Sequence, residues 1–222
     1  MRLRLFLDSA DPQAWNQWLP SGLFHGITTN PTLLKQAGQP CRLDHLRQLS
    51  QRAVELGCRE LHLQAWGGDA ASYLACGRQL AALAPGRIAV KLPVNREGAE
   101  AARSLIAEDV TVTFTACYDV PQVLIAAALG AAYIAPYLGR IGDHGRDGQA
   151  ELVSMQRSLC GLGSSVRLLV ASLRQPAELG RLAAEGLDTF TISPAIAAGL
   201  FANEATATDA LRFEVDAGGV TS

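Results

Sequence analysis

Along this chain, short apolar runs alternate with longer stretches in which apolar residues recur at helical spacing. The short runs are LRLFL (3–7), HGIT (25–28), ELHLQ (60–64), IAVKL (88–92), VTVTFT (110–115), AAYIAP (131–136), VRLLVAS (166–172) and TFTIS (189–193). Their length and their aromatic and β-branched content predict strands. Between them, Ala70, Leu74, Leu80 and Leu83 fit a 3.6-residue period over 69–84. Residues 96–108 and 176–186 read as further amphipathic helices, the second ending at Gly186. Strands alternating with helices predict parallel βα units in an α/β fold. Eight such units in one domain predict a (β/α)8 TIM barrel. The rival is an open doubly wound sheet, but no GxGxxG follows the first strand. No linker or low-complexity segment divides the chain, so 1–222 reads as one domain. Residues 204–217 read as an extra C-terminal helix after the barrel closes.

Alternation within the strands adds a second layer. If Lys91 faces the barrel interior, Ala89 shares its face while Val90 and Leu92 pack outward. Thr111, Thr113 and Thr115 then share one face of the next strand, opposite Val110, Val112 and Phe114. His62 and Gln64 share a face opposite Leu61 and Leu63. In such a barrel, chemistry sits at the C-terminal ends of the strands. Those ends carry Asp8, Thr28 with Asn30, Gln64, Lys91, Thr115, Tyr137 with Arg140, and Ser172 with Arg174. Seven consecutive strands thus end in polar groups able to meet at one mouth.

Composition narrows the classes. Of 222 residues, 49% are hydrophobic and 18% charged, with a net charge of −2. That supports one sizeable core and supplies no basic tract for nucleic acid or an anionic membrane. No apolar stretch is long enough to span a bilayer, and the N-terminal MRLRLFLDSAD lacks the features of a signal peptide. The expected location is cytoplasmic. The five cysteines are widely spaced with no CxxC pair and read as reduced thiols, mostly buried. The four histidines show no metal-binding spacing, so no metal site is expected.

Lys91 has two readings. A lysine near a strand end can snorkel to solvent. A desolvated lysine with a lowered pKa can instead attack a carbonyl as a free amine. That chemistry needs a nearby acid/base group and a held water, and Asp8, Gln64, Thr115 and Tyr137 are the right types. Asp8 could equally be the N-cap of the helix that follows, and Asn30 a cap for PTLLKQ. Arg140, Ser172 and Arg174 suit a phosphate, which barrels often hold at their last loops. Arg174 alone could be a solvated charge at a helix start.

Taken together, LFLDSAD (5–11), GITTNPTLL (26–34), LQAW (63–66), VKLPV (90–94), VTVTFTACY (110–118), YIAPYLGRI (133–141) and VASLRQP (170–176) resemble the transaldolase family. The resemblance is to its small subfamily of fructose-6-phosphate aldolases and short transaldolases. It implies a Schiff-base lysine at Lys91, with no metal and no organic cofactor. Asp8 would handle protons at the carbon–carbon bond, and Gln64 and Thr115 would hold the catalytic water. Thr28 and Asn30 would bind substrate hydroxyls. Arg140, Ser172 and Arg174 would take the sugar phosphate. Gln64 and Tyr137 match fructose-6-phosphate aldolases, whereas larger transaldolases carry glutamate and phenylalanine there. Arg174 matches the transaldolases. The substrates implied are small sugars, phosphorylated or not. The assembly implied is a homo-oligomer, a decamer of two pentamers, with 204–217 packing on a neighbouring subunit. His62 departs from the apolar residue expected at its position. A non-catalytic sugar-phosphate-binding barrel would keep Arg140 and Arg174 but has no need of Lys91, Asp8, Thr115 and Tyr137 together.

Overall fold

A computed structural model describes residues 3–218. It contains eight strands: β1 (Arg4–Asp8), β2 (Gly26–Thr28), β3 (Glu60–Gln64), β4 (Ile88–Pro93), β5 (Thr111–Cys117), β6 (Tyr133–Pro136), β7 (Arg167–Leu168) and β8 (Thr189–Ile192). The intervening helices are α1 (Pro12–Trp18), α2 (Pro31–Gln36), α3 (Leu43–Glu55), α4 (Ala70–Ala81), α5 (Arg96–Ala107), α6 (Gln122–Leu129), α7 (Leu138–Asp143), α8 (Gly148–Gly161), α9 (Pro176–Ala184) and α10 (Pro194–Gly199). A last helix, α11 (Glu204–Gly218), buries none of its residues and exposes Leu211, Phe213 and Val215.

All strand pairs are parallel, and the strands follow one another in sequence order. β1 pairs with both β2 and β8. The ring closes between β7 and β8 through a parallel bridge of Val170 with Phe190. Two hydrogen bonds make that closure, Val170 N–H to Thr189 O (2.9 Å) and Thr191 N–H to Val170 O (2.8 Å). A doubly wound sheet would reverse its strand order and leave two edges; this sheet does neither. The barrel expected from the alternating pattern is the fold observed.

The strands build two cores. Their outward faces, including Leu61, Leu63, Val90, Leu92, Val112 and Phe114, pack against the helices. Inside, Phe6, Tyr133, Ala135 and Leu169 form a separate cluster. Close strand contact has a sequence requirement at Gly26, where a Cβ would stand 1.9 Å from Glu60 O. No side chain fits there, so this glycine brings β2 against β3.

Two strands depart from the expected pattern. The regular ladder of β7 is only Arg167–Leu168, although 166–172 reads as one long strand. Beyond Leu168 the chain stays extended but divides its bonds between neighbours. Leu169 and Ala171 donate to Ile134 O and Pro136 O of β6, while Val170 serves β8. It ends at Ser172, whose φ of 60° is left-handed. The second departure is in β5, which runs past Thr115 through a bulge between Phe114 and Cys117. Ala116 takes the left-handed conformation there, with φ 59°. A bulge adds a residue to one strand and re-aims the side chains beside it. Both irregularities lie at the C-terminal mouth of the barrel.

Candidate active site

The mouth contains a cavity of about 220 Å³ lined by Asp8, Asn30, Lys91, Ala135, Tyr137, Arg140, Leu169, Ala171, Ser172 and Thr191. Six of the ten residues singled out from the sequence line it directly. Three more touch a lining residue: Thr28, Thr115 and Gln64.

Lys91 rises from β4, beside Gln64 of β3 and Thr113 of β5 in the strand register. Its side chain is inside the barrel and only 6% of the residue is exposed. The ammonium does not reach solvent by snorkelling; Nζ donates to the backbone carbonyl of Thr29 at 3.0 Å. Burial lowers its pKa from the ordinary lysine value, with the Asp8 carboxylate pulling the other way. Desolvation disfavours the charged form and so favours the free amine.

A base held this way costs stability. The folded chain releases the Lys91 proton more readily than the unfolded chain. The cost is full below the folded pKa and fades as pH rises toward the ordinary lysine value of 10.5. Replacing Lys91 with methionine, similar in length and apolar, is expected to raise stability by about 1–2 kcal/mol at neutral pH. Thermal melts at pH 7 and pH 10 check this: the gain should shrink at the higher pH.

Asp8 ends β1, and its Oδ1 accepts from Thr28 Oγ1 at 2.6 Å. Its alternative role as a helix cap is filled by Asp11, whose side chain accepts from Gln13 N–H at the start of α1. Thr28 is fully buried and also bonds Thr191 Oγ1 at 2.5 Å. Asn30 caps α2 through Oδ1, which accepts from Leu33 N–H at 3.0 Å, so the cap fixes the side chain at the cavity wall. On the opposite wall, Thr115 Oγ1 and Tyr137 Oη lie 2.5 Å apart. Gln64 sits half-buried at the rim, where Nε2 donates to Lys91 O at 3.1 Å. Two neighbours pack on the Tyr137 ring. The Arg140 guanidinium stands 4.7 Å from its centroid, and Tyr118 packs edge-on at 5.6 Å.

Arg174 is the exception. Its guanidinium does not line the cavity; Nη2 donates to Asp143 Oδ2 at 2.5 Å, outside α7. Arg140 and Ser172 line the cavity, bringing a guanidinium and a hydroxyl to it.

Below Lys91, the fully buried His62 has both ring nitrogens occupied. Nε2 lies 2.8 Å from Glu60 Oε1 and Nδ1 lies 3.0 Å from Thr113 Oγ1. Burial lowers the pKa of His62, against the pull of Glu60, while hydrogen bonding to His62 holds Glu60 low despite its own burial. A neutral imidazole donating from Nε2 and accepting at Nδ1 satisfies every partner. His62 is therefore a hydrogen-bonded element of the barrel floor, packed edge-on against Phe6 and Tyr133.

Two contributors were not singled out from the sequence. Thr191 follows the same period-two logic as Thr189 in TFTIS and was legible that way. The Thr29 carbonyl that receives Lys91 leaves no mark in the side-chain pattern. Among the described residues, no group of three or more His, Cys, Asp or Glu side chains is arranged to hold a metal ion. Among the same residues, no helix is long and apolar enough to cross a membrane.

Comparison with known proteins gives a consistent picture. Residues 5–219 match the family model described as Transaldolase/Fructose-6-phosphate aldolase. A probable transaldolase of Phenylobacterium zucineum is 34% identical over 217 residues, covering 96% of each chain. One from Caulobacter vibrioides is 32% identical over 204 residues, covering 92% of this chain and 91% of the relative. Among solved structures, one titled "Native KDPGal structure" superposes with a TM-score of 0.60 at 12% identity, over 86% of this chain and 82% of the other. A mandelate oxidase variant superposes with a TM-score of 0.58 at 14% identity, over 86% and 64%. These two likenesses concern the barrel fold alone.

Proposed function

Because the chain belongs to the transaldolase and fructose-6-phosphate aldolase family, we propose that it cleaves fructose 6-phosphate through a Schiff base on Lys91. The observation that carries this reading is a buried lysine, with its pKa lowered by burial, sharing a cavity of about 220 Å³ with a carboxylate.

The steps follow from the groups present. Neutral Lys91 attacks the C2 ketone; a carbinolamine forms, loses water and becomes an iminium ion. The Asp8 carboxylate takes the proton of the C4 hydroxyl. The C3–C4 bond breaks, its electrons move into the iminium, and glyceraldehyde 3-phosphate leaves. The remaining enamine is held inside the barrel, away from bulk water. It is then protonated at carbon and hydrolysed to dihydroxyacetone, or it adds to an aldehyde acceptor. Thr28 and Asn30 bind substrate hydroxyls. Gln64, Thr115 and Tyr137 hold the water. Arg140 and Ser172 receive the phosphate. No metal or organic cofactor takes part in these steps.

Discharge to water makes the enzyme a fructose-6-phosphate aldolase, and the Thr115–Tyr137 hydroxyl pair supports that outcome. The second reading is a transaldolase that passes the unit to erythrose 4-phosphate, as the names of the relatives suggest. One assay separates them: release of glyceraldehyde 3-phosphate from fructose 6-phosphate with and without erythrose 4-phosphate. Release without the acceptor supports the aldolase; strict dependence on it supports the transaldolase.

The phosphate role of Arg140 has its own test. Arg140→Ala is expected to raise KM for phosphorylated substrates about tenfold or more, through loss of a charge-assisted contact. KM for dihydroxyacetone should stay near its original value. An equal rise for both would remove Arg140 from that role. The exposed Leu211, Phe213 and Val215 of α11 support a homo-oligomer in which this helix packs on a neighbouring subunit.

A further inference from the structure

Asp143 has no part in the chemistry above, yet it is placed beside two arginines and a histidine. It ends α7, three residues after Arg140 and just before His144, and its carboxylate bonds Arg174. Arg174, then His144 and Arg140, hold its carboxyl below the ordinary carboxylate range. The Asp143 and Arg174 side chains are 52% and 56% exposed, so the pair sits at a wet surface where such bonds exchange readily.

The route from this pair to the cavity is short. Arg174 and Ser172 both lie against Gly139. A Cβ built there would stand 2.7 Å from Arg174 Nε and 3.2 Å from Ser172 Oγ. Glycine at 139 leaves the guanidinium room to lie across the first turn of α7. Ser172 and Arg140 both line the cavity. A phosphate bound by Arg140 and Ser172 would therefore arrive beside a guanidinium already committed to a carboxylate.

We propose that Asp143 sets how strongly this mouth prefers phosphorylated substrates, by holding Arg174 away from the corner formed by Arg140 and Ser172. An incoming phosphate draws Arg174 from Asp143 and gains a second guanidinium. Unphosphorylated substrates leave the pair intact. The inference rests on the reading of Arg140 and Ser172 as the phosphate site, and it makes Asp143 a specificity residue without contact to the reacting atoms.

The test uses the full-length protein and two readouts. Binding of inorganic phosphate is measured by calorimetry. KM is measured for glyceraldehyde 3-phosphate and for glyceraldehyde, with dihydroxyacetone as donor. Asp143→Asn should tighten phosphate binding about three- to fivefold, the scale of one exposed ion pair. It should lower KM for glyceraldehyde 3-phosphate by a like factor and leave that for glyceraldehyde unchanged. In an Arg174→Ala background most of the gain should vanish. Unchanged or weaker phosphate binding in Asp143→Asn would overturn the proposal, as would a gain that persists in full without Arg174. Arg140→Ala reports separately on the underlying reading. Phosphate binding left unweakened by it places the anion elsewhere and overturns the site itself.

Discussion

Lys91→Ala is expected to lower turnover by several orders of magnitude while leaving the barrel folded. In the proposed mechanism the lysine supplies the nucleophile, and among the described residues no second amine lines the cavity to replace it. Its surroundings make the effect specific. Nζ is held by Thr29 O, the side chain is buried, and burial lowers its pKa, which favours the free amine. A substitution that merely loosened packing would lower stability and activity together. Here the two should separate, because removing a buried amine removes a desolvation cost. Steady-state rates alongside thermal melts check this. A variant with near-normal turnover would remove Lys91 from the mechanism.

Tyr137→Phe is expected to change the fate of the three-carbon unit more than its formation. The phenol oxygen stands 2.5 Å from Thr115 Oγ1, and the ring packs against Arg140 and Tyr118. Phenylalanine keeps the ring and its packing but removes the donor. Release of dihydroxyacetone to water should fall about 100-fold, the low end of what one positioned group contributes in proton transfer. Transfer to erythrose 4-phosphate should fall much less, so the ratio of transfer to hydrolysis rises. Product partitioning from fructose 6-phosphate, with and without acceptor, reads that ratio. An unchanged ratio would take Tyr137 out of water handling.

The barrel was legible because two periods coincide along the chain. The strand period of two sorted Lys91, His62 and Thr113 to one face and Val90, Leu63 and Phe114 to the other, and the helical period filled the gaps. The mouth was legible as a set of polar strand ends, because a closed parallel barrel carries all such ends to one side. Less legible were positions where backbone geometry overrides pattern. Ser172 and Ala116 take left-handed conformations within runs that read as plain strand. Asp8 could have been the cap of α1 by residue type, but the structure gives that role to Asp11, whose side chain accepts from Gln13 N–H, while Asp8 meets Thr28. By residue type and loop position, Arg174 reads as a partner of Arg140 at the phosphate. Its actual partner, Asp143, lies 31 residues away in sequence, across a glycine that lets the side chain pass. Long flexible side chains choose partners by local charge, which strand order does not encode. His62 was conspicuous as an odd residue in an apolar setting, and its two hydrogen bonds explain why the interior accepts it.

The central claim is covalent, so the decisive measurement is covalent too. The protein is incubated with fructose 6-phosphate, reduced with borohydride, digested, and its peptides weighed. The mechanism predicts a three-carbon adduct on the peptide carrying Lys91, absent when either sugar or borohydride is left out. An unmodified Lys91 under conditions of active turnover, or an adduct on another residue, would contradict it.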